Sequence, residues 1–200
     1  MQASNPAQRW LRHATMDDVA AVTSVLDRAR QAMVEAGNPN QWGSKYPDSE
    51  TITGDIQGGH AILLVDDAAA DPSATEGASY RRPEMDERRG EHERVIGVFA
   101  LFDEPDPFYS RIDGAWLDDD PYMTIHRMAS SGLAKGVAGD MLDWCMRHYS
   151  NVRVDTGYKN HAMQHILEAH GFTRCGEIAM PGADDPNMEL ERVAYQRHDR

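Results

Sequence analysis

The stretch Met128–Ala138 (MASSGLAKGVA) decides the fold of this chain. The residues before it, Tyr122–Met128 (YMTIHRM), have the character of a strand. After it, apolar residues recur at helical spacing from about residue 134 to 149. The chain therefore passes from a strand through a turn of small residues directly into a helix. Free backbone N–H groups and the positive end of the helix dipole meet at such a helix start, which makes a site for an anion such as a pyrophosphate.

Three residues of this turn fit an anion site. Gly136 and Ala138 let a ligand approach the backbone closely, and Lys135 adds positive charge. Glycine in a strand-to-helix turn is nevertheless structural more often than not, so the turn alone does not identify a ligand. The Walker A pattern GxxxxGK[ST] does not fit, and neither does the dinucleotide-binding spacing GxGxxG.

The elements on both sides of the turn predict an α/β domain with a mixed sheet. The apolar runs Ala61–Val65 and Val95–Phe102 have the length of buried strands. A strand at Val152–Thr156 and a helix at Asn160–His170 follow the helix of the turn. The predicted order is β, α, α, β, β, β, α, β, α, β, β. The alternation in the second half implies at least one parallel βαβ unit.

Residues 67–93 interrupt this pattern. They are rich in Ala, Asp, Glu, Arg, Pro and Ser and almost without aliphatic side chains. Such a segment cannot bury enough surface to offset its ordering entropy. We predict a disordered or mobile insertion between two strands of a single domain that spans residues 1–200.

The composition limits the partners and the compartment. The formal net charge of −13 argues against nucleic acid and anionic membranes as partners, because phosphate binding needs a basic surface. The first residues lack the apolar core of a signal peptide, and no run approaches the ~18 apolar residues of a membrane span. Cys145 and Cys175 form no CxxC pair. We expect free thiols and a cytoplasmic protein.

Two segments carry a resemblance to a known family. LAKGVAGDML, which begins at Leu133, resembles the acyl-CoA-binding signature of the GNAT acetyltransferases, Gln/Arg-x-x-Gly-x-Gly/Ala. Gly136 and Ala138 occupy its two small positions, but Leu133 stands where the family prefers Gln or Arg. RVDTGYKNHAMQHILEAHGFTRCGEI resembles the family's next strand–helix–strand unit. The stretches NQWGSKYP, SETITGDI and YMTIHRMA resemble one bacterial branch of the family.

The resemblance implies a fold, a reaction and a cofactor site. The fold is a central mixed, mostly antiparallel twisted sheet flanked by helices. The reaction is transfer of acetyl from acetyl-CoA to a primary amine, by direct attack in a ternary complex. The acceptor would be a small molecule or a peptide, and a homodimer is the commonest assembly of such proteins. The residues implied to bind acetyl-CoA are Met128, Ala129, Ser130, Leu133, Ala134, Lys135, Gly136, Val137, Ala138 and Asn160. Asn160 also suits an ordinary helix N-cap.

The acid–base residues are less clearly marked. Many family members carry a tyrosine that protonates the leaving thiolate, and Leu167 occupies its place here. Tyr158 or Tyr122 could replace it, or the thiolate could leave unaided, since a thiol has a pKa near 8.5. His126 is the expected base because it lies on the central strand and histidine titrates near neutrality. A hydrogen-bonded structural histidine is the alternative.

Alternative roles for several residues, and two alternative functions, remain open at this point. Trp42 and Tyr46 lie in the loop after the first helix, where the family builds its acceptor pocket, and they either line it or pack. His161 and His165 are spaced i, i+4 on a helix, but the HExxH pattern fails and no third ligand is evident, so we expect no metal. A non-catalytic acyl-CoA-binding sensor or interaction module is the alternative function. A metal hydrolase built on these histidines is a more distant one.

Overall fold

The computed structural model describes residues 8–67, 81–180 and 185–199. Within these ranges one eight-stranded sheet is flanked by four α-helices. The strands are β1 (Arg9–His13), β2 (Ala61–Asp67), β3 (Glu93–Phe102), β4 (Ile112–Gly114), β5 (Met123–Ser130), β6 (Asn151–Thr156), β7 (Thr173–Ala179) and β8 (Glu191–His198). The helices are α1 (Val19–Glu35), α2 (Ser49–Gln57), α3 (Val137–His148) and α4 (His161–Ala169), with short 3-10 turns at Met16–Asp18 and Pro107–Ser110. No helix of these ranges is long and apolar enough to cross a membrane.

The strand order is β1-β2-β3-β5-β6-β8-β7-β4. Neighbouring strands are antiparallel except for β5 and β6, which run parallel and are joined through α3. A parallel pair requires such a crossover connection, so the turn before α3 has to lie at the carboxyl end of β5. The mixed, mostly antiparallel sheet expected from the sequence is confirmed.

Two apolar cores cover the two faces of the sheet. Successive residues of a strand point to opposite faces. In β2, Ile62 and Leu64 therefore enter one core together with α3 and α4, while Leu63 and Val65 enter the other together with α1 and α2. Burial on both faces explains why β2 is an unbroken apolar run in the sequence.

Part of the segment predicted to be disordered lies beside β1. The backbone N–H of Leu11 donates to the Glu84 carbonyl at 2.9 Å, and the N–H of Asp86 donates to the Leu11 carbonyl at 2.7 Å. Residues 81–93 thus differ from the predicted disorder. Backbone hydrogen bonds and ion pairs hold these residues, and a count of apolar residues detects neither kind of interaction. Residues 68–80 lie outside the described ranges.

A buried ion-pair network fixes this segment to the domain. Arg12 of β1 is fully buried, and its guanidinium donates to both carboxylate oxygens of Asp18 at 2.9 and 2.8 Å and to Glu93. Arg89 donates to the same Asp18 carboxylate. Burial alone would raise the pKa of Asp18, but the hydrogen bonds from Arg12 and Arg89 outweigh it and hold that pKa well below its usual value.

Candidate active site

The parallel strands β5 and β6 separate at their carboxyl ends. They pair from Met123 with Val152 to Ile125 with Val154. Both strands continue, to Ser130 and Thr156, but no further pairing joins them in the described part of the chain. The edge of β5 after Ile125 is therefore open towards β6.

A bulge in β5 lies where the strands separate. The register with β3 shifts between Val98, which faces Ala129, and Ala100, which faces His126. Inside the bulge, Arg127 has a φ of 53°. This left-handed conformation is uncommon for a residue with a side chain, and such strained positions cluster at ligand sites.

The side chain of Arg127 ties the bulge to two other elements. Nε and Nη2 donate to the two carboxylate oxygens of Asp55 in α2, at 2.6 and 2.7 Å. Nη1 donates to the Tyr46 hydroxyl at 2.9 Å. Burial alone would lower the pKa of Arg127, but Tyr46 and Asp55 outweigh it and the pKa is raised. The guanidinium stays charged, and its bidentate pairing fixes its position.

A cavity of about 250 Å³ opens between the separated strands. One wall comes from β5, β6 and the starts of α3 and α4, and includes residues 125–130, residues 154–156, Ala138, Asn160 and Met163. The other wall comes from α1, the loop after it and the β7–β8 connection, and includes Ala29, Met33, Trp42, Tyr46, Met180 and Met188. The cavity thus joins the predicted anion turn to the predicted acceptor loop.

The start of α3 is open to a ligand. Gly136 is the N-cap with a φ of 76°, a left-handed conformation that favours glycine. No side chain of the described residues caps this helix, so the N–H groups of its first turn have no side-chain acceptor. Arg9 adds positive charge there, since its Nη1 lies 3.9 Å from where a Cβ at position 136 would be. Arg9 also pairs with Asp140 at 2.6 Å.

The residues expected to bind acetyl-CoA follow this edge of the cavity. Those that line it are Met128, Ala129, Ser130, Ala138 and Asn160. Those that form the turn and the first residue of α3 are Leu133, Ala134, Lys135, Gly136 and Val137. Leu133 is exposed, whereas the Val137 side chain is buried in the core, so only the backbone of Val137 can face a ligand. Asn160 is also the N-cap of α4, where its Oδ1 accepts the Met163 N–H at 3.2 Å.

His126 lines the cavity where β5 and β6 begin to separate. Its Nε2 lies 2.7 Å from Oδ2 of Asp106, in the loop after β3, and its Nδ1 lies 3.7 Å from Oδ1 of Asp155 in β6. Burial alone would raise the pKa of Asp106, but the hydrogen bonds with His126 and with the Phe108 N–H outweigh it and the pKa is lowered. An ionised Asp106 accepts a hydrogen bond from Nε2–H of His126. The other ring nitrogen, Nδ1, is then the one that can accept a proton from a ligand.

Asp155 is the second carboxylate beside His126. It lines the cavity, and its Oδ1 accepts the Tyr109 hydroxyl at 2.8 Å. Its Oδ2 lies 3.8 Å from Nε of Arg192. Burial and the neighbouring Asp155 raise the pKa of Tyr109 well above its usual value, so the tyrosine remains a hydrogen-bond donor.

Tyr122 lines a second cleft and not the cavity between β5 and β6. The second cleft, which Asp106 also lines, has further walls that include Tyr109, Trp116, Asp118, Tyr122 and Arg153. The guanidinium of Arg153 lies 3.8 Å from the Tyr122 ring centroid, and the Tyr122 hydroxyl accepts the Asp106 N–H at 3.3 Å. Tyr122 therefore packs beside Asp106 and is not among the residues that line the cavity.

Neither Tyr158 nor Leu167 brings an acid to the cavity. The interaction of the Tyr158 hydroxyl with the Glu177 carboxylate, together with desolvation, raises the pKa of Tyr158 to about 12. Leu167, at the position of the family tyrosine, is fully buried in the core. Among the residues with described positions, Tyr46 is the tyrosine that lines the cavity.

The loop after α1 is held against the β7–β8 connection. The Asp185 carboxylate accepts both the N–H and the hydroxyl of Ser44, at 2.7 and 2.8 Å. Hydrogen bonds from the Ser44 and Asn187 backbone lower the pKa of Asp185 to about 2. Trp42 and Tyr46 in this loop line the cavity and also pack in the core next to α1.

The histidines considered for metal binding lie apart from the cavity. His161 and His165 are exposed on α4. Over the described ranges, one group of three metal-ligating side chains lies close together, Asp118, Asp120 and His198, and neither helical histidine belongs to it. The Cys145 thiol is buried, which raises its pKa and disfavours the nucleophilic thiolate.

Sequence reasoning missed four charged groups of this region. Asp106, Asp155, Arg127 and Arg9 come from elements far apart in the chain, and only the fold brings them to the cavity or to its edge. One signal was present for Asp155, because a carboxylate inside a strand that is otherwise buried is rarely found without a partner.

Comparisons with known proteins agree with this architecture. No protein-family model matches the chain, and no curated protein matches it. Among solved structures, a GNAT-family acetyltransferase from Streptococcus agalactiae is 25% identical, with 96% of each chain covered and a TM-score of 0.72. A GNAT-family acetyltransferase from Listeria monocytogenes is 14% identical, with 99% of this chain and 98% of that chain covered and a TM-score of 0.59. A putative acetyltransferase from Salmonella typhimurium, solved with its cofactor acetyl-CoA, is 13% identical, with 95% and 93% covered and a TM-score of 0.53.

These matches show which known fold the chain shares. The resemblance to the GNAT acetyltransferases is confirmed over nearly the whole chain, and the sheet with its separated β5 and β6 has the fold of that family. All three of these neighbours are named acetyltransferases.

Proposed function

We propose that this chain is an N-acetyltransferase that transfers acetyl from acetyl-CoA to a primary amine by direct attack in a ternary complex. The separation of β5 from β6 carries this proposal, because the cavity between them reaches the start of α3, where no side chain of the described residues caps the helix. The solved neighbour with bound acetyl-CoA supports the choice of co-substrate.

The residues present fit the parts of acetyl-CoA in turn. The first-turn N–H groups of α3 and the nearby Arg9 suit the pyrophosphate, and Gly136 leaves room for it. The open edge of β5 suits the amide groups of the pantetheine arm, which can pair with it like an added strand. Asn160 lines the same gap, and its Nδ2 is a donor for this arm.

A backbone N–H of β5 is the proposed donor to the reacting carbonyl. The N–H of Met128 or Ala129, just after the bulge, would donate to the thioester oxygen as negative charge develops on it. Such fixed donors are worth about 3–4 kcal/mol in comparable acyl transfers. The bulge matters because it shifts the register of β5 against β3 between His126 and Ala129, next to these groups.

His126 is the proposed general base. The acceptor arrives as an ammonium ion, attracted by Asp155, and gives one proton to Nδ1 of His126. The neutral amine then attacks the carbonyl carbon, and the C–S bond breaks as the C–N bond is completed. The nitrogen loses its second proton as the amide forms, and this proton passes through water to the thiolate of CoA, since Leu167 provides none. Asp106 stabilises the imidazolium through Nε2.

Thermal unfolding with and without acetyl-CoA, CoA and NAD tests the binding step. At one hundred times Kd, a ligand adds about 2.7 kcal/mol of stability, which raises the Tm of a domain of this size by about 5–10 °C. We expect a rise with acetyl-CoA and CoA but not with NAD. No rise with saturating acetyl-CoA would overturn the proposed function.

A non-catalytic acyl-CoA-binding module is the second candidate. It is favoured by Leu133 at the signature position and by Leu167 at the position of the family acid. Turnover separates the two, because an enzyme releases CoA when an amine panel is supplied. Tight acetyl-CoA binding without CoA release from any amine would favour the module.

A further inference from the structure

The wall of the cavity opposite the acetyl-CoA edge is mostly apolar, with Gln41 and Tyr46 as polar members. Its apolar side chains come from α1, the loop after α1 and the β7–β8 connection: Ala29, Ala32, Met33, Trp42, Met180 and Met188. Three of the six are methionines, whose flexible side chains adapt to irregular apolar ligands. Apolar ligand groups are favoured there because they remove this surface from water.

Both arginines that line the cavity are engaged by the protein itself. Arg127 uses all three guanidinium nitrogens on Asp55 and Tyr46. Arg192 donates from Nη2 to the Gln41 carbonyl at 2.6 Å and from Nη1 to backbone carbonyls of its own strand region. A carboxylate on the acceptor would therefore have to displace an existing partner.

No other Lys or Arg side chain of the described residues lines the cavity. The undescribed residues 1–7, 68–80 and 181–184 contain no Lys or Arg at all, and Arg200 is the remaining one. Asp155 also lines the cavity, and its Oδ1 lies 3.7 Å from Nδ1 of His126, the proposed base. An acid next to the amine would face this carboxylate without a free cation to balance it.

We infer that the acceptor is a small primary amine with an apolar alkyl or aryl arm and no acidic group beside the amine. This inference rests on the proposed function and adds the class of acceptor. The ammonium group lies between Asp155 and His126, and the arm lies against Met33, Trp42 and Met188. A free amino acid is disfavoured by its carboxylate, and a polyamine by its second charge on an apolar wall.

A matched pair of amines tests the inference. 2-Phenylethylamine and L-phenylalanine carry the same arm and differ by the carboxylate. We expect kcat/KM for 2-phenylethylamine to exceed that for L-phenylalanine by at least about 100-fold, and to exceed that for spermidine. Within the series from n-propylamine to n-hexylamine, each added methylene should raise kcat/KM about fourfold, or about 0.8 kcal/mol.

A variant pair on α1 tests the position of the arm. Met33→Ala should lower kcat/KM for n-hexylamine about tenfold and leave that for n-propylamine nearly unchanged. Val34→Ala on the same helix is the matched control, since Val34 is half-exposed and does not line the cavity. The rise in Tm with acetyl-CoA shows that each variant is folded.

The outcomes separate the inference from the proposed function. Faster acetylation of L-phenylalanine, of spermidine or of a Met-initiated peptide would overturn the acceptor class and leave the acetyltransferase standing. Equal losses for both alkylamines in Met33→Ala would also overturn the inference. No rise in Tm with acetyl-CoA and no CoA release with any amine would overturn the proposed function itself.

Discussion

His126 and Asp106 are joined by a 2.7 Å hydrogen bond that connects two separate recesses. The ring of His126 lines the cavity, while Asp106 lines the second cleft. The other carboxylate oxygen of Asp106 accepts the Phe108 N–H at 2.7 Å. With both oxygens engaged, the carboxylate holds the imidazole in one orientation before any ligand binds.

Asp106→Asn tests whether this pair acts in catalysis. The variant keeps the shape of the side chain but removes its charge. We expect kcat for the best amine to fall about 10- to 100-fold, as part of the 10²–10⁴-fold that a positioned base contributes. Steady-state assays with this amine measure the change in kcat.

Asp103→Asn is the matched control for this change. Asp103 precedes Asp106 in the same loop, lines the second cleft and is exposed. We expect it to keep the kcat of the original protein. If Asp106→Asn behaved in the same way, the proposed role of the pair would be wrong.

Gly136→Glu tests the anion site at the start of α3. A glutamate there places bulk and negative charge among the first-turn N–H groups, where the proposal puts the pyrophosphate. We expect loss of the rise in Tm that acetyl-CoA produces, and an increase in its Kd of at least about 100-fold, measured by calorimetry.

Gly136→Ala separates backbone strain from charge. Both variants force a side chain into a conformation with a φ of 76°, at a cost of about 1–2 kcal/mol. Both should therefore lower the Tm of the free protein similarly, while only the glutamate abolishes binding. Retention of acetyl-CoA affinity in Gly136→Glu would refute the assigned site.

The sequence predicted the sheet better than it predicted the site. The apolar runs of β2 and β3 and the helical spacing of α3 are local patterns, and each gave the correct element. Residues 81–93 differed from the predicted disorder because they bond to residues such as Leu11 and Asp18, about 70 residues earlier in the chain. Such partners leave no periodic signal in the segment itself.

The same contrast between local patterns and long-range contacts applies to the candidate site. Gly136, Ala138 and Asn160 belong to contiguous motifs. Ala138 and Asn160 line the cavity, and Gly136 is the N-cap of α3. Tyr122 and Tyr158 were predicted as general acids from their residue type, and neither lines the cavity. Side chains that meet across the sheet, as Asp106 meets His126, depend on the β3–β5 register and the bulge, which no local pattern reports.

Tyr158→Phe tests whether this tyrosine is the general acid. Its hydroxyl lies apart from the cavity lining, and its pKa is raised to about 12 by the interaction with Glu177. We expect kcat to change by less than about twofold, with the basic limb of the pH profile unmoved. A fall of about 100-fold, together with a shifted basic limb, would restore Tyr158 as the acid.

Asp18→Asn tests the buried network that joins β1 to residues 81–93. Removing one charge leaves the guanidinium of Arg12 buried without its full set of partners, so we expect the free energy of unfolding to fall by about 3 kcal/mol at pH 7. Asp17→Asn is the matched control, because Asp17 is exposed one residue earlier. Urea denaturation measures both variants.

The pH dependence of this loss has a definite sign. The pKa of Asp18 is lower in the folded chain than the value of 3.8 expected when it is unfolded. Its contribution is therefore fully present above about pH 4 and is lost as the pH falls towards the lowered pKa. The gap between the original protein and Asp18→Asn should narrow between pH 4 and pH 2, whereas a gap that stayed constant would show that Asp18 acts through packing and not through its charge.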